Sequence, residues 1–106
     1  MTPHHAFFGD AEHAFRLTGP LIIELEGATG TGIGALCGRV FNRQFAQADI
    51  SETIRLALIG GGTTPKRAAE MIAAYVVGQP LVEPYTLAAA ILESTMFGHP
   101  HKGTEQ

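Results

Sequence analysis

Two glycine-rich stretches, one cysteine and five histidines are the residues of this 106-residue chain with chemistry to offer. Gly30-Thr-Gly32-Ile-Gly34-Ala35 spells G-x-G-x-x-A, the turn that lays a dinucleotide pyrophosphate on the free N–H groups of a helix start. That chemistry requires parallel strands with helices crossing between them, and no strand-like run follows the helix this stretch would open. Asp49 stands about 20 residues on, where the fingerprint wants its acidic residue, but at a helix start and not at a strand end. The plainer reading, a flexible connection into a helix, is preferred, and no cofactor is expected.

Gly60-Gly61-Gly62-Thr63-Thr64-Pro65-Lys66 superficially resembles a phosphate loop, yet it lacks the Gly-Lys-Ser/Thr ending. It reads better as a structural corner. Gly60 would stop one helix in a left-handed conformation; Thr64 would cap the next, with Pro65 at its first position. His4, His5, His99 and His101 could gather a metal only if the termini met, and a committed site wants rigid ligands, so none is expected. Cys37 falls on the apolar face of a predicted helix with no histidine near in sequence, which suits a buried hydrophobe over a nucleophile. Glu24 and Glu26 would share one strand face, more simply a solvated face than a catalytic pair. No catalytic residue emerges.

The elements that would position these residues form a single domain, mainly α with an N-terminal β-hairpin. Residues 1–10 read as a loose arm. His13, Phe15 and Leu17 alternate with Glu12, Ala14 and Arg16; beyond Thr18-Gly19-Pro20, Leu21, Ile23 and Leu25 alternate with Ile22, Glu24 and Glu26. This period-two pattern predicts a hairpin over 12–26. Ile22, Glu24 and Glu26 then lie on its outer face, where the unpaired strand edge would meet a partner or a second copy. About four helices are expected over 31–97: one to about Phe45, one from Asp49 with Glu52 as a capping-box partner, one from Pro65 to about Val77, and one opened by Glu83-Pro84 and closed by Gly98. Residues 99–106 read as a disordered tail.

Composition narrows the function. A net charge of −3 argues against broad electrostatic binding of nucleic acid, although Arg39, Arg43, Arg55, Lys66 and Arg67 could form a local patch. A helix-turn-helix regulator across Gly60–Thr64 is disfavoured, because the helix after Lys66 and Arg67 is rich in alanine and methionine, with little to read base edges. A single cysteine rules out an internal disulfide framework and suits a reducing compartment. No apolar run approaches the ~20 residues of a membrane helix, and the start carries no signal-like pattern. A cytoplasmic protein is expected.

The chain resembles the gene transfer agent family of small phage-tail proteins, which look like tail assembly chaperones. The resemblance rests on Phe15-Arg-Leu-Thr-Gly-Pro-Leu-Ile-Ile-Glu-Leu-Glu26, Gly30-Thr-Gly-Ile-Gly-Ala-Leu36 with Arg39, and Asp49-Ile-Ser-Glu-Thr-Ile-Arg-Leu-Ala-Leu-Ile-Gly-Gly-Gly62. It continues through Ala68-Ala69, Val76, Ala88-Ala-Ala-Ile-Leu92 and Phe97-Gly98, covering about residues 7–98. It implies a non-enzymatic tail protein, cytoplasmic during assembly or carried in a virion-like particle. The leading expectation is a tail assembly chaperone, whose partners would be the tape measure and the tail tube. A structural component of the tail tube is the alternative. A nucleotide-binding enzyme fragment and a helix-turn-helix regulator rank below both.

Overall fold

The computed structural model describes residues 3–98. Its chain order is β1 (His4–Phe8), β2 (Ala11–Phe15), α1 (Gly19–Thr29), α2 (Ile33–Phe41), α3 (Gln47–Gly60), α4 (Pro65–Tyr75) and α5 (Val82–Phe97). The expected class, mainly helical with an N-terminal hairpin, is the class observed. The expected tail over 99–106 lies outside the described residues.

The hairpin sits earlier than 12–26. Strands β1 and β2 pair antiparallel, with His4 opposite Phe15 and Phe8 opposite Ala11. A two-residue turn, Gly9-Asp10, joins them, with Gly9 at φ 67°. A glycine in the first central position is the signature of the hairpin turn whose twist matches its strands. His4–Phe8 is therefore a strand and not part of a loose arm; Ala6 and Phe8 turn inward while His5 and Phe7 turn out.

Leu21–Glu26, expected as the second strand, belongs to helix α1. Strand alternation would have buried Leu21, Ile23 and Leu25 together. Instead Leu25 is fully buried, Leu21 and Ile22 pack beside the core, and Ile23 is 70% exposed. Three positions spaced i, i+1 and i+4 make a helical stripe, and Ile22 was the residue that broke the alternation. The Thr18-Gly19-Pro20 segment starts this helix, with Thr18 preceding it in extended backbone and Pro20 in the first turn, where its missing N–H costs nothing. The Ile22 N–H donates to the Thr18 carbonyl at 2.8 Å. Five helices rather than about four thus occur among the described residues.

Helix α3 is the axis of the domain and packs against α1, α2, α4, α5 and β2. Ile50, Thr53, Ile54, Leu56, Ala57 and Leu58 are all buried, so it meets neighbours on most sides. Helix α2 stops at Phe41, four residues short of the expected end. Arg43 adopts φ 60° and the Gln44 N–H donates to the Arg39 carbonyl at 2.7 Å, the pattern of a left-handed helix stop. Asp49 is three residues inside α3 and not its cap; its Oδ2 accepts from the Ala46 N–H at 2.8 Å. Glu52 pairs with Arg55, Oε1 to Nη2 at 2.6 Å, and takes no part in a capping box. No helix among the described residues is long and apolar enough to cross a membrane.

Candidate functional site

The glycine corner is a packing site. Helix α3 ends at Gly60 and α4 starts at Pro65, with the Thr64 hydroxyl accepting from the Arg67 N–H at 3.2 Å. Gly60 itself is helical, so the left-handed stop expected there is misplaced; Gly62 carries the positive φ, 115°. What Gly60 and Gly61 supply is absence of a side chain. A β-carbon on Gly60 would run into the Arg16 carbonyl oxygen and stand 2.9 Å from Leu21 Cδ1, and one on Gly61 would run into the Ala14 carbonyl oxygen. The end of α3 thereby takes the β2–α1 connection against its backbone, an approach only glycine permits. The Arg16 N–H donates to the Ala57 carbonyl at 2.9 Å across the same contact.

Gly30–Ala35 does not form an open anion cradle. Gly30, at φ 73°, closes α1, and α2 begins after Gly32. The Glu26 carboxylate reaches across the turn and accepts from the Ile33 N–H at 2.8 Å. A carboxylate already occupies the electropositive helix start that a pyrophosphate would need, and would repel it. The hairpin is moreover antiparallel, and among the described residues it pairs with no parallel strand. Glu26 is thus a cap.

Ile22, Glu24 and Glu26 are not a strand edge. They lie on α1, with Ile22 half-buried, Glu24 exposed and contributing to the field that raises the Arg55 pKa after the larger effect of Glu52, and Glu26 engaged as above. The edge-pairing role expected for them loses its basis, since a helix has no unpaired ladder to offer. Cys37 is buried at 3% exposure, and burial pushes its thiol pKa up, opposite to what a nucleophile needs. Among the described residues, no group of three or more His, Cys, Asp or Glu side chains could hold a metal; His99 and His101 lie outside them. Arg39 Nη2 donates to Asp49 Oδ1 at 2.7 Å, and with Asp49 only 1% exposed this pair ties α2 to the start of α3.

The surface with something to offer runs along α5, and the sequence reading passed over it. Val82, Thr86, Ala89, Ala90, Glu93 and Phe97 recur at helical spacing on its outer side. Two shallow grooves of about 450 and 470 Å³ flank that stripe and share Thr86 and Ala90. Phe41 and Tyr85 border one, His4, Ala6 and Phe7 of β1 the other. Phe45 stacks on Tyr85, a lining residue of the first groove, with ring centroids 5.1 Å apart. Phe7, Val82 and Phe97 are 72%, 68% and 73% exposed. Small residues form much of the floor, with large apolar ones and the charged Glu83 and Glu93 around it, a shape better suited to another chain than to a small polar substrate. The signal that could have found it was Gly9-Asp10, which turns β1 back on β2 and so makes a strand of His4–Phe8, and that strand packs beside α5.

No curated protein and no solved structure matches the chain. A family model described as phage tail tube protein, GTA-gp10, matches residues 2–98. With nearly the whole sequence covered by that match, the chain belongs to this phage tail tube protein family of gene transfer agents.

Proposed function

We propose that this chain is a non-enzymatic structural component of a phage-like tail, a tube subunit that works by contact with other tail proteins. The observation that carries the reading is the family match over residues 2–98. The site chemistry supports it. The glycine corner, the Glu26 cap and the Arg39–Asp49 pair all hold the fold, and the exposed apolar features along α5 and β1 suit docking. A tube subunit remains in the finished particle in many copies. Quantitative mass spectrometry of purified particles should find this chain in clear excess over the tape-measure protein.

The tail assembly chaperone is the second reading, favoured by the helical fold and by the small-residue floor of α5 between Phe41 and Phe97. An apolar helix of a tape measure could lie there, protected from aggregation until assembly. The same measurement separates the two: a chaperone is captured with the tape measure from producing cells and is missing from finished particles.

A further inference from the structure

We propose that the cleft between the β1–β2 turn, the end of α4 and the start of α5 receives a lysine side chain of a partner protein. The cleft holds about 230 Å³ and is walled by Phe7, Phe8 and Tyr75; among the described residues, Glu83 is the one charged group lining it. That volume is below the range of about 300–1,000 Å³ that whole small ligands fill, so it suits the head of one side chain.

Three rings from two elements make the aromatic wall. Phe8 and Tyr75 meet edge to face, with centroids 5.7 Å apart and planes at 79°, so they stand as adjoining walls. Phe8 packs in turn on Phe15, at 6.1 Å. Gly9 makes the room for Tyr75, because a β-carbon there would run into Cδ2 and Cε2 of its ring. Phe7, 72% exposed, stands at the open side. Aromatic rings attract a cation placed within about 6 Å of their centroids, and more strongly as water is excluded.

Charge and hydrogen-bonding capacity name the occupant. Glu83 makes no ion pair among the described residues. Arg67, the basic side chain beside this turn, is already held by Asp10 Oδ2 at 3.1 Å. The partial positive charge of the α5 start offsets part of the Glu83 carboxylate and leaves the position net negative. A lysine ammonium brings one charge and a compact set of donors to that carboxylate. A quaternary ammonium has no donor to give it, and an arginine spreads a rigid fork of donors where one carboxylate stands.

The lysine stem has a place as well. A second hollow shares Tyr75, Glu83 and Pro84 with the cleft and continues along Ala74, Pro80 and Val82, with Gln79 beside them. That is a largely apolar course for the methylenes of a lysine whose head reaches Glu83. Glu83 also borders the α5 groove beside His4 and Ala6, so a chain docked along α5 passes over the cleft. This inference stands on the cleft and does not depend on the tail-tube reading.

The test is a nuclear magnetic resonance titration of the full chain with Nα-acetyl-lysine methylamide. The ring resonances of Phe7 and Tyr75 should shift saturably, with a dissociation constant on the order of 10 mM for a single anchor free of its chain. Nα-acetyl-norleucine methylamide has the same stem without the ammonium and should bind about fivefold more weakly. Glu83→Gln and Phe7→Leu, both at exposed positions, should each weaken the lysine derivative about threefold with unchanged circular dichroism. Glu93→Gln, further along α5, should leave it unchanged. No saturable shift, norleucine binding as tightly as lysine, tetramethylammonium binding where the lysine derivative does not, or equal losses for Glu83→Gln and Glu93→Gln would each overturn the proposal. Tube copy number in particles is a separate measurement, so either idea can fail alone.

Discussion

Replacing Gly60 by alanine opposes two effects of known sign. Alanine favours helix by about 1 kcal/mol over glycine, and Gly60 is the last residue of α3, so the gain there is smaller. Against it stands the β-carbon, which would overlap the Arg16 carbonyl oxygen and crowd Leu21 Cδ1 at 2.9 Å. A comfortable carbon–oxygen contact is about 3.3 Å or more, so the β2–α1 connection must retreat on the order of 1 Å. Overpacking of this kind costs about 1–3 kcal/mol, and loosening the Arg16–Ala57 hydrogen bond adds about 1. The balance is a loss of about 2 kcal/mol, or a melting temperature lower by about 10 °C for a domain of this size. Gly38, inside α2, has nothing within 4 Å of its would-be β-carbon, so Gly38→Ala should stabilise by about 0.5–1 kcal/mol. Urea unfolding followed by circular dichroism measures both. If Gly60→Ala matches Gly38→Ala in sign, the close approach is not what keeps glycine at the corner.

Asp49→Asn should lower stability by about 2 kcal/mol, because a charge-assisted bond to Arg39 and the reach to the Ala46 N–H weaken together inside the fold; chemical denaturation reads it, and a change under ~0.5 kcal/mol would make the pair incidental. Glu26→Ala should cost about 1 kcal/mol as a lost cap, and neither it nor the wild type should release heat with millimolar NAD or ATP in calorimetry; specific binding by the wild type would restore the nucleotide reading. Burial raises the Cys37 pKa above its ordinary 9.0, so the unfolded thiol ionises first. The stability this gives is complete below the unfolded pKa and is lost as pH rises toward the folded one. Relative to Cys37→Ala, the wild type should therefore lose up to about 1.4 kcal/mol per pH unit above about pH 9; a flat difference would contradict the buried neutral thiol.

What was legible in the sequence, and what was not, divides by whether the signal is local. The corner at 60–65, the Pro65 helix start and the Gly98 stop follow from single residues whose backbone limits are intrinsic, and they stand where expected apart from the Gly60 conformation. Thr18-Gly19-Pro20 is the instructive failure. The same three residues make a hairpin turn or a helix start, and the choice depends on which side of Leu21–Glu26 meets apolar surface. That surface is α3, which packs α1 across its own middle and end, far along the chain. Once α3 fixes the helical answer for α1, the hairpin must be built from what precedes it, and Gly9-Asp10 is the turn available. The need for glycine at 60 and 61 follows from the same event, since the chain crossing their backbone is the link between β2 and α1. That one turn governs where the hairpin lies, how many helices follow it, whether the open strand edge falls at Ile22 or near Phe7, and why three glycines stand at the corner. An edge strand beside α5 and an edge strand at residues 21–26 would offer different side chains to a partner. Function in such a chain lies in which surfaces the packing leaves uncovered, and those are set by long-range choices that no local motif records.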